Sequence, residues 1–195
     1  MVRMPTGIAL RDVREQLFAA AERVLVRSGA AALTSRAVTA EAGVAKGVLH
    51  RHFADFDAFL ADLVRDRVTR LGAQAAALRA TVGTGTVAGN VTTALLDLFT
   101  SVAVALVGLL IFRDDLRARL RESYPAGVPL LTDAAAMIAG YLAAERERGR
   151  LPAGADVDTL ALTLIGSGHL LAAGRSDGPP AHAEVLRIVV TVLPR

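Results

Sequence analysis

The chain has 195 residues, of which 53% are hydrophobic and 21% charged, with no cysteine and a formal net charge of +3. That apolar content excludes general disorder and is enough for the core of one large domain or two small ones. The lack of cysteine excludes a disulfide framework, a thiolate metal site and a cysteine nucleophile, and suits a cytoplasmic protein.

The charge is unevenly spread. Residues 1–53 hold eight basic against four acidic side chains, and the remainder fourteen against fifteen. The positive field therefore sits in the amino-terminal quarter, as expected of a segment that meets phosphates. Met1 to Leu10 include Arg3 and Pro5 and no long apolar stretch, so no secretory signal is expected.

Arg11 to Arg27 has apolar residues at Val13, Leu17, Ala20, Ala21, Val24 and Leu25, the spacing of a helix with one buried stripe. Gly29 stops it. Thr34 or Ser35 caps a second helix, its hydroxyl accepting from the free N–H groups of the first turn. Gly43 marks a sharp reversal that needs positive φ or close approach. A third helix runs from about Ala45 to Phe53. Asp55 caps a fourth, which carries Phe56, Phe59, Leu60, Leu63, Val64, Val68 and Leu71 at helical spacing and extends to about Arg79.

Thr81 to Thr86 breaks the pattern as a linker. A fifth helix is expected over Val87–Phe112, a short sixth over Asp114–Glu122, a seventh over Leu130–Arg148, an eighth over Val157–Ala173 and a ninth over His182–Leu193. Pro125–Pro129, Gly149–Gly154 and Gly174–Pro180 are the loops between them. Ile188 to Val192 is a β-branched run that reads as a strand in isolation, but its setting favours the last helix. Ser101 to Phe112 is apolar, yet a membrane span needs about 20 residues, and extending the run backwards meets Asp97. A buried helix is expected there. The fold class is all-α.

Lys46, the only lysine, lies in a unit of two short helices around a tight turn. Such a unit can lay its second helix in the major groove of DNA. Leu33-Thr34, Ala42-Gly43-Val44, Lys46-Gly47, Leu49, His52 and Phe53, followed by Asp57-Ala58-Phe59-Leu60, resemble the tetracycline-repressor (TetR) family of bacterial regulators over residues 8–65. The resemblance implies a three-helix DNA-binding domain at 8–65, with its helix-turn-helix at about 34–53. It implies a helical ligand-binding and dimerisation domain at 66–195. It also implies a ligand-responsive homodimer, more a repressor than an activator, on a palindromic duplex. Four positions depart from the family pattern. Ala45 stands where Ser is frequent, Val48 where Thr is usual, His50 where Tyr is usual, and Phe56 where Lys is common. Phosphate anchoring then leans on Arg36, Lys46, Arg51 and the helix N-termini.

Leu49 and Phe53 are four apart and face the core with Val44, leaving Lys46, Gly47, Val48, His50 and Arg51 on or near the outer side. Gly47 lets the backbone approach the duplex. Arg51 can read guanine through its fork, Lys46 can do so or hold a phosphate, and Val48 can meet a thymine methyl. Thr34, Ser35, Arg36, His50 and His52 complete the candidate DNA surface. His50 and His52 do not share a face and are a poor metal pair.

Two-fold pairing would set two recognition helices about 34–36 Å apart. Helices eight and nine are the expected seam, through Leu160, Leu164, His169, Leu170, Leu171, Val185, Leu186, Val189 and Val192, with Gly166, Ser167 and Gly168 permitting close approach. Phe99, Val102, Leu106, Phe112, Met137, Tyr141, Leu164 and His169 are the candidate lining of an apolar pocket for a lipophilic effector, with Leu95 and Ile138 beside them.

Gly166-Ser167-Gly168-His169 is not a strand–turn–helix nucleophile elbow. Gly83 to Thr86 lacks the lysine of a phosphate loop, and the four histidines have no metal spacing. No enzymatic activity, cofactor or metal is expected. The alternative is a helical small-molecule-binding protein with a degenerate DNA head.

Overall fold

The computed structural model describes residues 7–99, 102–125, 127–173, 175 and 178–194, with side chains from Val13 onward. The expectations resting on Met1 to Thr6, on Ser101, and on Gly174, Ser176 and Asp177 lie outside the described residues.

Among the described residues ten α-helices follow one another: α1 Gly7–Ser28, α2 Ser35–Glu41, α3 Gly47–His52, α4 Phe56–Ala80, α5 Val87–Phe99, α6 Ala103–Phe112, α7 Asp114–Leu120, α8 Leu131–Glu147, α9 Val157–Ala173 and α10 His182–Val192. Among the described residues there is no strand. The β-branched run Ile188–Val192 is helical because Val185 and Val189, one turn apart, are both buried, and α10 packs on α5 and α9. Tertiary packing of one stripe outweighs the intrinsic preference of the run.

The single fifth helix expected over Val87–Phe112 is instead α5 and α6, which meet at 59°. The two serve different surfaces: α5 packs on α10, α9, α4 and α8, whereas α6 packs on α1, α7 and α9. One straight rod cannot satisfy both. No single helix among the described residues is long and apolar enough to cross a membrane.

The three amino-terminal helices form a small head. Its core is Leu17, Phe18, Ala21 and Val24 of α1, Val38 of α2, Leu49 of α3, and Phe53, Phe59, Leu60 and Leu63 beyond it, all at most 5% exposed. The rings of Phe18, Phe53 and Phe59 lie 5.0 to 5.9 Å apart, and Phe56 stacks on Phe59. Each buried Phe contributes roughly 1.5–3 kcal/mol of transfer free energy, with about 0.5–1.5 kcal/mol more per well-placed ring pair. Phe56 thus joins the core cluster, which leaves it no role as a phosphate anchor.

From this head α4 runs unbroken for 25 residues into the body. There it packs against α8, α7 and α5. The boundary expected near residue 65 falls inside that continuous helix.

Candidate nucleic-acid interface

The turn between α2 and α3 is built by the sequence itself. Thr34 Oγ1 accepts from the Ala37 N–H at 3.1 Å, closing the start of α2. At its end the Gly43 N–H donates to Ala40 (3.1 Å) and the Val44 N–H to Thr39 (3.0 Å). This pair of reversed bonds, with Gly43 at φ 68°, is the glycine-terminated helix stop. It sends the chain back so that α3 crosses the front of the head.

On α3, Leu49 is fully buried and Val48 half-buried, while Lys46, Gly47, His50 and Arg51 are exposed. His52 is half-buried. Thr34 and Arg36 are exposed and Ser35 half-buried on α2. Of the expected DNA residues, Thr34, Arg36, Lys46, Gly47, His50 and Arg51 are thus exposed, and Ser35, Val48 and His52 partly so. Ser35, Arg36, Thr39, Lys46, Gly47 and His50 line a depression of about 460 Å³ between α2 and α3. Arg51 lies outside it.

Ion pairing sorts the basic residues of the head. Arg23 and Arg27 both bind Glu41, at 2.7 and 2.8 Å, and these two hydrogen bonds hold its carboxyl below the usual glutamate range. Arg14 binds Asp62 at 2.6 Å. Among the described residues no acidic partner reaches Arg36, Lys46 or Arg51. Among the described side chains of the head, the basic residues left without an acidic partner are thus the ones on α2 and at α3, a sorting that summed charge alone does not convey. No side chain caps α3 at Lys46, consistent with alanine at position 45.

Sequence reasoning missed how the head is held. Gln16 Nε2 donates to the Ala42 carbonyl at 2.8 Å. Asp55, besides capping α4 through the Ala58 N–H as expected, binds Arg119 at 3.0 Å. Arg113 pairs with Asp57. These partners are tens of residues apart, and no local pattern announces them.

Two cavities of the body share Met137 in their lining. One, of about 310 Å³, lies between α4 and α8 and is lined by Val68, Leu71, Gly72, Ala75, Met137 and Tyr141, with Arg79 and Asp133 at its rim. The other, of about 210 Å³, lies between α4 and α5, with Gln74, Leu78, Asn90, Thr93 and Asp97 around it. Of the eight expected pocket residues, Met137 and Tyr141 line these cavities. Phe99, Leu106 and Leu164 are buried in the core instead, and Val102, also buried, borders a separate depression beside α1 with Val26 and Arg67. Phe112 is 84% exposed and cannot wall an enclosed cavity of this chain. His169 is half-buried, with Nδ1 unpartnered and its pKa lowered by desolvation.

Tyr141 anchors a buried polar cluster beside the cavities. Its hydroxyl donates to Glu145 Oε1 at 2.6 Å and accepts from Asn90 at 2.9 Å. Glu145, fully buried, also accepts from the Gly83 N–H and lies 3.4 Å from Arg150. Burial, then the hydrogen bond to Glu145, pushes the Tyr141 phenol up to about 12.

The expected seam residues divide. Leu164, Val185 and Val189 are consumed by the chain's own core, each at most 1% exposed. Gly168 is buried against the Phe99 ring and serves intramolecular packing. Leu170 of α9 remains exposed (78%), as do Leu162 (64%) of α9 and Val190 (50%) of α10, which were not among the expected seam residues.

Residues 17–63 match the family described as bacterial regulatory proteins, tetR family. No curated protein matches the chain. Among solved structures, the reduced form of NemR from E. coli is 17% identical, with a TM-score of 0.73 over 94% of this chain and 98% of that one. A putative TetR-family transcriptional regulator from Mesorhizobium loti is 17% identical, with a TM-score of 0.71 over 96% and 95%. FadR from Bacillus subtilis, solved in complex with stearoyl-CoA, is 16% identical, with a TM-score of 0.67 over 92% and 99%.

Proposed function

We propose, from the premise that the chain belongs to the tetR family of bacterial regulatory proteins, that it is a homodimeric, ligand-responsive repressor of transcription that reads a palindromic operator with α3. It is a binding protein and not an enzyme. The observation that carries this reading is the exposed, unpaired set Lys46 and Arg51 on α3 with Arg36 beside it on α2, mounted on a buried Leu49 and Phe53. Arg51 stands clear of the α2–α3 depression and has the fork geometry that matches guanine O6 and N7. Arg36, Lys46 and His50, around the depression, suit phosphate oxygens, while Thr34, Ser35, Gly47, Val48 and His52 fill the surface between.

One head reads too few base pairs for useful specificity, so the reading requires two. The apolar stripe Leu162, Gly166 and Leu170 of α9, with Val190 of α10, supports a two-fold seam. The cavities at Met137 are the effector site in this reading. Their aliphatic walls, and the fatty acyl-CoA bound by FadR, support a lipophilic effector. The uncapped α3 favours the second reading, a small-molecule binder whose head no longer grips DNA.

Selection of bound duplexes from a random pool tests the two against each other. A recovered inverted repeat, bound with an affinity that falls steeply with salt, supports the regulator. Ligand-induced thermal shifts without any duplex retention support the alternative. Leu170→Glu should convert a dimer to a monomer in sedimentation; a wild-type monomer would sink the two-fold reading.

A further inference from the structure

The recognition helix α3 is only six residues long. A helix this short barely closes its own hydrogen bonds, and its last carbonyls have no intrahelical partner. Its orientation must be imposed from outside. Two contacts converge on its carboxyl end and a third ties them to α4, all from one side chain of α1. Arg14 Nη1 donates to the His52 carbonyl, at 3.4 Å a long bond. The guanidinium carbon of Arg14 lies 4.4 Å from the centroid of the Phe53 ring and 5.8 Å from that of Phe18. Arg14 Nη2 binds Asp62 of α4 at 2.6 Å, and Asp62 is shared with Arg65 at 2.8 Å.

We propose that Arg14 is the positioning residue of the recognition helix, clamping the end of α3 to α4 through His52, Phe53 and Asp62. This rests on the DNA-reading function proposed above. Planarity is what the site uses: one face covers Phe53 while the edges serve a carbonyl and a carboxylate. A lysine ammonium can keep the ion pair, but it cannot hold both edges and the ring at once. Arg14 lies about a third exposed and is already committed to Asp62, so it acts through α3 and not on phosphate. Because Asp62 belongs to the helix that continues into the body, the clamp also sets α3 relative to α4 and not merely relative to α1.

The test has two readouts on the full chain. Amide hydrogen exchange of the free protein is compared for wild type, Arg14→Gln, Arg14→Lys and Asp62→Asn. Exchange over Leu49–Phe53 should accelerate in Arg14→Gln, less in Arg14→Lys and in Asp62→Asn, with α8 and α9 unchanged. Unaltered exchange over Leu49–Phe53 would overturn the clamp whatever DNA does. Affinity for the selected duplex, measured against salt, should fall about tenfold or more in Arg14→Gln, the order of one misplaced base contact. The slope of log K against log salt should stay at the wild-type value. A slope reduced by about one unit would make Arg14 a phosphate contact instead, and undiminished affinity would show that the clamp does not serve reading. If wild type binds no duplex, the regulator reading fails, while the exchange data still decide the clamp. Should Arg14→Gln not fold, Arg14→Lys and Asp62→Asn carry the same comparison.

Discussion

In the head, the contacts that set helix angles are polar. Gln16 and Arg14 of α1 catch carbonyls at the ends of α2 and α3, and Arg23 and Arg27 catch Glu41. In the body, α8, α9 and α10 meet through aliphatic faces such as Ile138, Leu142, Leu164, Val185 and Val189. There the only fully buried charge, among the described residues, is Glu145. The difference follows from helix length. Helices α2 and α3, of seven and six residues, have most of their backbone groups at unsatisfied ends, so side chains from α1 must finish them. Helices of seventeen residues complete their own ladders and need only bury a stripe.

If the head depends on few apolar anchors, removing one should cost most there. Phe59, fully buried, touches Phe18, Phe53 and Phe56. Phe59→Ala should destabilise by about 3–5 kcal/mol, with amide exchange rising in α2 and α3 ahead of α8 and α9. Simultaneous loss of protection everywhere would break the contrast and make head and body one cooperative unit through α4.

The body's polar exception is sharpened by Tyr141→Phe. Glu145 Oε1 would keep only the Gly83 N–H, and loss of a hydrogen bond to a buried carboxylate should cost about 1.5–3 kcal/mol near neutral pH. The phenol adds a signature. Its folded value is raised from 10 to about 12, so the unfolded chain loses the proton first. The stabilisation from Tyr141 is therefore complete below pH 10 and disappears as pH climbs through 12. The melting temperature of wild type should fall more steeply across that window than that of Tyr141→Phe; parallel slopes would sink the assignment.

Much of this architecture was legible in the sequence, and the exceptions have physical causes. The expected limits of α4, α8 and α9 lie within a residue or so of those observed, because a buried stripe repeats along each and Asp55, Gly149 and Gly154 punctuate them. Lys46, His50 and Arg51 were legible as surface because Leu49 and Phe53 fix the phase of α3. The α5–α6 break was not, since both halves are apolar and their separate partners are set by distant helices. The cavity was not legible either. Leu106, Leu164 and Met137 are equally apolar in sequence, and only the side on which α4 stands off from α8 decides which of them borders a void. The clamp at Arg14 depends on Asp62, 48 positions away.

Two glycines of α9 test the packing rule that governs the body. A Cβ at Gly168 would collide with the Phe99 ring, itself buried, whereas one at Gly166 meets nothing. Gly→Ala inside a helix gains about 0.8–1 kcal/mol of propensity, and overpacking costs about 1–3 kcal/mol. Gly168→Ala should therefore lower stability by about 1 kcal/mol net, while Gly166→Ala raises it by nearly the full propensity gain in a monomer. A loss at Gly166 would reveal a second chain pressed against α9.

The smallest effect on folding is expected at Lys46, one of the proposed DNA contacts. Lys46 is exposed, and no acidic partner reaches it among the described residues, so Lys46→Ala should leave the thermal midpoint within about 0.5 kcal/mol of wild type, the range of ordinary surface substitutions. If its ammonium neutralises one phosphate per head, the slope of log K against log salt should drop by about 0.9 for each head bound. Binding should weaken by a similar factor on every sequence, because a phosphate contact carries no base information. Arg51→Ala should behave oppositely, relaxing one operator position while the salt slope changes less. If both variants shift the slope equally and neither alters sequence preference, α3 would be gripping the backbone without reading it. The division between a base-reading Arg51 and a phosphate-holding Lys46 would then be wrong.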